Sequence, residues 1–186
     1  MKRSVLFLVA AAIGFTVTPD VQAQTNDDLI EQALAAAPRR AQEGAAVIKW
    51  NADHTYETLK EGSNRIVCYS RADETRRRPF AVQCTSAGNL ERVAQSRRFR
   101  AEAADAEAER ALIEAAEANG TRIAPEFGSV FISMNGDDQA SAGTHRTIAV
   151  PGATPDSLGL PDNPAEGGAW IMSAGTTTAH IMVPGT

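Results

Sequence analysis

Short apolar runs separated by turn signals dominate the hydrophobic pattern of this sequence. Runs rich in β-branched and aromatic residues indicate strands, and they occur at 45–50, 56–70, 80–85, 129–134, 145–150 and 167–183. The second run is interrupted by Gly62-Ser63-Asn64, which predicts a β-hairpin with Cys68 on its second strand. The last run is interrupted by Gly and Thr residues, and we expect it to form a closing hairpin that completes the core.

Two segments carry a helical period instead. Apolar residues recur at helical spacing from Leu29 to Ala37, after two acidic residues that suit a helix start and before Pro38. Residues 89–118 are rich in Ala, Glu and Arg and contain neither Pro nor Gly, which predicts one long central helix. The sequence therefore predicts an α+β fold, an antiparallel sheet or sandwich of hairpins with a short N-terminal helix and one long central helix.

The first 23 residues have the pattern of a secretory signal peptide. A basic start at Lys2-Arg3 is followed by an apolar run at 5–15, with small residues at Val21 and Ala23 before a cleavage point. The run is shorter than the roughly 18 to 20 apolar residues that span a bilayer. We expect residues 24–186 to be a single secreted or periplasmic domain with no stable membrane anchor.

Charge and cysteine content narrow the function classes. The formal net charge is −5, which excludes a general attraction to nucleic acid or anionic lipid. Cys68 and Cys84 are the only cysteines, and in an oxidising compartment they most simply form one disulfide. That bridge would staple the base of the charged segment 71–78, whose Arg76-Arg77-Arg78 run we interpret as a solvated loop tip.

His145 and His180 are the candidate functional residues. Each lies an even number of residues before a Pro-Gly pair in a predicted strand, so each points to the same side as its Pro. If the two strands are neighbours, both imidazoles can share one face and, with Asp137 or Asp138, bind a metal or act as a base. The alternative is that each fills a half-buried strand position and hydrogen-bonds locally. No Gly-x-Ser-x-Gly elbow or phosphate-binding glycine loop is present.

Several short motifs carry a resemblance. They are Ala36-Ala37-Pro38, Val47-Ile48-Lys49-Trp50, Leu59-Lys60-Glu61-Gly62-Ser63-Asn64 before Cys68, Leu158-Gly159-Leu160-Pro161-Asp162-Asn163-Pro164, and Ala179-His180-Ile181-Met182-Val183-Pro184. These segments resemble an uncharacterised family of secreted bacterial proteins that has a signal peptide, two cysteines and this C-terminal hairpin. The resemblance implies an exported α+β domain and implies no activity, ligand or cofactor.

The function we expect is a non-enzymatic binding or structural module, exported to the periplasm or beyond the cell. No cofactor and no metal are expected, and the partner contact considered is weak self-association through the 89–118 helix. The alternative is a small hydrolase or a metal-dependent enzyme that uses His145 and His180.

Overall fold

A computed structural model describes residues 25–183, so the predicted signal peptide at 1–23 lies outside the described part. The helices are α1 (Asn26–Leu34), α2 (Arg39–Gln42), α3 (Leu90–Glu102), α4 (Ala106–Ala118) and α5 (Pro155–Leu158). The strands are β1 (Ala46–Trp50), β2 (Tyr56–Lys60), β3 (Ile66–Ser70), β4 (Phe80–Ser86), β5 (Val130–Gly136), β6 (Gly143–Ala149), β7 (Trp170–Met172) and β8 (His180–Met182). None of the helices in this range has the length and apolar character needed to cross a membrane.

The strands form one sheet in the order β2-β1-β3-β4-β5-β6-β8-β7. Only β1 and β3 pair in parallel; the other neighbours are antiparallel. The predicted α+β class with a mainly antiparallel sheet is therefore confirmed. The sandwich alternative is wrong for the described residues, because helices rather than a second sheet cover the two faces.

Alternation along the strands separates two cores. On one face, Ala33 of α1 packs in a cluster with Cys68 and Cys84. On the other face, Val93 of α3 packs with Tyr69 and its neighbours. The closing strands β7 and β8 have a smaller cluster of their own under α5.

The predicted disulfide is present. Cys68 on β3 lies directly opposite Cys84 on β4, and the two form a bridge with a Cα–Cα distance of 4.0 Å. Both residues are fully buried on the α1 face, where the Sγ atom of Cys84 lies 3.6 Å from the carbonyl oxygen of Ala33. The bridge therefore joins two strands in the middle of the sheet.

The predicted hairpin at 56–70 is wrong. Its two strands exist, but β1 lies between them, antiparallel to β2 and parallel to β3. The burial explains this order, because Val47 and Ile48 of β1 are buried on opposite faces whereas β2 is largely exposed. Gly62 passes close to the start of β1, and a Cβ atom there would lie 2.5 Å from the backbone nitrogen of Ala46.

The single long helix over 89–118 is also wrong, because the chain leaves the helix between α3 and α4. Ala103 is extended, with ψ of 132°, and Asp105 caps α4 by accepting hydrogen bonds from two backbone N–H groups. Arg76 donates to the carbonyl oxygens of Arg100 and Ala103 at 3.3 and 3.0 Å. These bonds satisfy backbone oxygens that a continuous helix would have bonded internally.

Candidate functional site

A cavity of about 480 Å³ lies between the sheet and the α3–α4 pair. Its floor is formed by side chains on strands β4, β5 and β6, namely Gln83, Phe131, Ser133, His145 and Thr147. Its walls come from the 71–78 segment, from α3 and α4, and from the residues just before β8. This volume lies in the range of sites for small molecules.

A polar row crosses the floor at one end of the cavity. The register places Tyr69 opposite Gln83, Gln83 opposite Ser133, and Ser133 opposite His145. The Tyr69 hydroxyl donates to Oε1 of Gln83 at 2.8 Å, and burial raises the pKa of this phenol far above its usual value. Ser133 is buried and His145 is exposed, so the row runs from the core out to the cavity mouth.

Glu74 lies above this row and is held by four arginines. Arg71 donates to it through Nε and Nη2 at 2.8 and 2.7 Å. Arg97 donates through Nη1 at 3.0 Å and Arg77 through Nε at 3.2 Å, and Arg100 also pairs with it. One buried carboxylate thus organises four guanidinium groups around itself.

The interpretation of the 71–78 segment as a solvated loop tip is therefore wrong for most of its charged side chains. Glu74 is only 9% exposed, and Arg76 pairs with Glu109 of α4 at 2.9 Å. Arg78 does match the expectation, since its side chain is 60% exposed and pairs with an exposed aspartate. The segment folds against α3 because Arg97 and Arg100 of that helix form ion pairs with the Glu74 carboxylate.

The pKa values of Glu74 and Arg77 reflect an excess of positive charge at this end of the cavity. Burial alone would raise the pKa of Glu74, but the hydrogen bonds and charge of Arg71 and the charges of Arg100 and Arg77 lower it to about 2. Burial and the charges of Arg71 and Arg100 lower the pKa of Arg77 to about 10. The Nε atom of Arg77 bonds to Glu74, but its two Nη atoms have no acceptor within residues 25–183. A bound anion at Arg77 would relieve this repulsion.

A second cationic group stands at the opposite end of the cavity. Arg92 of α3 is 6% exposed and donates to the hydroxyls of Thr177 and Thr178 at 3.1 and 2.9 Å. Both hydroxyls donate onward to Glu117. Burial and the charge of Arg122 lower the pKa of Arg92 to about 10.

The structure places both candidate histidines in this cavity, at different ends. β6 and β8 are neighbours, as the same-face prediction required, and His180 lies opposite Ala149 whereas His145 lies opposite Ser133. Four residues along β6 separate these positions, about 13 Å at the usual rise of a strand. The two imidazoles share a face and a cavity but are not adjacent to each other.

The carboxylates suggested as their partners lie elsewhere. Asp137 pairs with Arg78, and Asp138 accepts hydrogen bonds from the backbone and hydroxyl of Ser141. Within residues 25–183 no group of three or more His, Cys, Asp or Glu side chains is placed to hold a metal ion. The acids that do line the cavity are Glu74 and Glu109, and both are occupied by arginines.

Sequence reasoning missed the arginines of the site. Five arginines line the cavity, compared with two glutamates. They are Arg71, Arg77, Arg92, Arg97 and Arg100. The available signal was Arg97, which falls on the apolar stripe of α3 between Val93 and Ala101. A charge on a buried stripe needs a buried partner, and searching for that partner would have led to the 71–78 segment.

Comparison with protein-family models, with curated proteins and with solved structures found no match. The resemblance to a family of secreted bacterial proteins therefore rests on the quoted sequence motifs alone, and the geometry of the cavity carries the functional argument.

Proposed function

We propose that this protein is an exported, non-enzymatic binding module that takes a small organic anion into the cavity between the sheet and the α3–α4 pair. The observation that carries the proposal is the charge of the lining. Five guanidinium groups and two carboxylates line one cavity, in a chain whose formal net charge is −5. The simplest explanation for positive charge concentrated in one concave site of an acidic protein is that the site binds a negatively charged ligand.

Arg77 is the group best placed to hold the anion. Its side chain is 24% exposed, so it is sheltered and still reachable, and its Nη atoms have no acceptor among the described residues. A guanidinium with two free Nη atoms can bind a carboxylate or phosphate through paired hydrogen bonds. Gln83, Ser133 and His145 line the same cavity and supply further polar atoms that fix orientation.

Export is part of the proposal because of two supporting observations. The N-terminal 23 residues have the composition of a signal peptide, and the chain carries one buried disulfide of the kind that persists in oxidising compartments. Detection of the processed protein in the periplasmic or culture fraction, with Gln24 as its new N-terminus, would support this part of the proposal. Retention of an intact N-terminus in the cytoplasm would refute it.

Isothermal titration with hexanoate and with the uncharged 1-hexanol tests the anion site. Hexanoate is expected to bind and hexanol is not, and Arg77→Gln is expected to weaken hexanoate about tenfold, the value of one charge-assisted hydrogen bond. Arg98→Gln is the control, because it removes the same charge from an exposed arginine of α3 that lies outside the cavity lining. Equal binding of acid and alcohol, or equal effects of the two substitutions, would refute the proposal.

A small hydrolase is the second candidate, favoured by one observation. Ser133 lies directly opposite His145, and both line the cavity beside the guanidinium groups. In such an enzyme the Ser133 hydroxyl would attack an ester carbonyl, His145 would accept its proton, and the alcohol would leave after receiving that proton. Water, deprotonated by His145, would then hydrolyse the acyl group from Ser133 and release the acid. Labelling of Ser133 by a fluorophosphonate, abolished in His145→Gln, would support this candidate; an unlabelled folded protein would exclude it.

A further inference from the structure

We infer that the ligand is an elongated dianion, held by one acidic group at each end of the cavity. The inference rests on the proposed anion-binding function and makes it more specific.

The two ends of the cavity are defined by contacts from both layers. At one end Arg92 bonds to Thr178 at 2.9 Å, close in sequence to His180 on β8. At the other end Arg71 lies 3.4 Å from Oε1 of Gln83, in the polar row that ends at His145. Arg71 also shares the Glu74 carboxylate with Arg100 of α3. The helix layer and the sheet layer therefore agree on which residues share each end.

The spacing of the ends is also set independently in each layer. Arg92 and Arg100 are eight residues apart on α3, about 12 Å along a helix axis. The positions of His180 and His145 differ by four residues along β6, about 13 Å along a strand. A compact anion such as inorganic phosphate cannot contact both ends over that distance, whereas an extended chain can.

The middle of the cavity is less polar than its ends. Phe131 and Thr147 face each other between the polar row at one end and the Ala149–His180 pair at the other, and Val93 of α3 and Ile113 of α4 line the same space. An aliphatic chain placed there would bury apolar surface, which is expected to strengthen binding about fourfold for each buried CH₂ group. The lining thus suits a molecule with an acidic group at each end and a hydrocarbon body.

Titration with chain-matched acids tests the inference. The probes are the diacids adipate, suberate and sebacate and the corresponding monoacids hexanoate, octanoate and decanoate, at fixed ionic strength. At one chain length the diacid is expected to bind about tenfold more tightly than its monoacid. Arg92→Gln is expected to bring that ratio close to one, while Arg98→Gln retains it. If circular dichroism shows that Arg92→Gln is unfolded, His180→Gln removes a group at the same end and replaces it in the test.

Three outcomes separate this inference from the proposed function. A diacid preference that requires Arg92 or His180 supports both. Equal binding of diacids and monoacids at every length overturns the dianion inference and leaves the anion site intact. Binding of neither class overturns the anion site and the inference with it.

Discussion

Replacement of Glu74 by Gln is the sharpest test of how the cavity is held together. The substitution keeps the size of the side chain and removes its charge. Four arginines then face one another without the carboxylate that they share. We expect a folded but clearly destabilised protein, because removing one partner of a buried ion pair leaves uncompensated buried charge.

We expect Glu74→Gln to lower the free energy of unfolding by about 3 kcal/mol. Loss of one member of a buried ion pair costs about 3 to 5 kcal/mol. The pKa of Glu74 is lowered from 4.5 to about 2, and that difference corresponds to about 3 kcal/mol of stability. The side chain of Glu74 is only 3% exposed, so solvent screening reduces this value little. The lowered pKa and the usual cost of breaking a buried ion pair thus both correspond to a loss of about 3 kcal/mol.

The pH dependence of the unfolding free energy distinguishes loss of the Glu74 ion pairs from a simple loss of packing, because packing does not vary with pH. Because the folded pKa of Glu74 is lowered, its contribution is complete above about pH 4.5 and is lost as the pH falls through about 2. Urea unfolding should show a gap of about 3 kcal/mol between wild type and Glu74→Gln near pH 6, and less than half of that gap near pH 3.

Glu57→Gln is the matched control for this measurement. Glu57 forms one ion pair with Lys49 on the sheet surface, and both side chains are about half exposed. Its replacement should change the unfolding free energy by less than about 1 kcal/mol. The reasoning would be refuted if Glu74→Gln were no more costly than this control, or if its stability gap did not vary with pH.

Three further substitutions test the fold. Replacing Cys68 and Cys84 by Ala should lower the unfolding free energy by about 3 kcal/mol, as expected for a bridge of sequence separation 16, and a reductant should then have no further effect. Gly62→Ala should cost about 1 to 3 kcal/mol because its Cβ would clash with backbone, whereas Gly143→Ala, with open space around it, should be nearly neutral in the same urea titration. Asp105→Ala should cost about 1 kcal/mol by removing the cap of α4, and an unchanged melting curve would contradict that role.

Local patterns in the sequence were sufficient where the controlling contacts are local. The start of α1 was predicted from the acidic residues Asp27 and Asp28, and the structure places Thr25 as its N-cap. The strand positions were predicted from runs of β-branched residues. The disulfide was predicted from the cysteine count and from the expectation of an oxidising compartment. In each case neighbouring residues or composition carry the information, and the structure agrees.

Contacts between distant segments decided the features that the sequence did not predict. The order β2-β1-β3 depends on how much of each strand is buried, whereas turn composition at Gly62 suggested a hairpin. The break at Ala103 depends partly on Arg76, whose hydrogen bonds span more than twenty residues. The cavity was missed for the same reason, since Glu74 and Arg97 are 23 residues apart and each resembles a solvated charge in isolation.

The position of the disulfide has a consequence for the opposite face of the sheet. Cys68 and Cys84 point towards α1, and the next residues along their strands, Tyr69 and Gln83, lie on the opposite face, where Tyr69 is buried in the core and Gln83 lines the cavity. A slip of one residue between β3 and β4 would turn Gln83 away from the cavity and separate it from the Tyr69 hydroxyl. A covalent bridge between directly opposed residues forbids that slip. The disulfide therefore fixes the pairing register on which the polar floor of the cavity depends, although it contacts no part of the cavity itself.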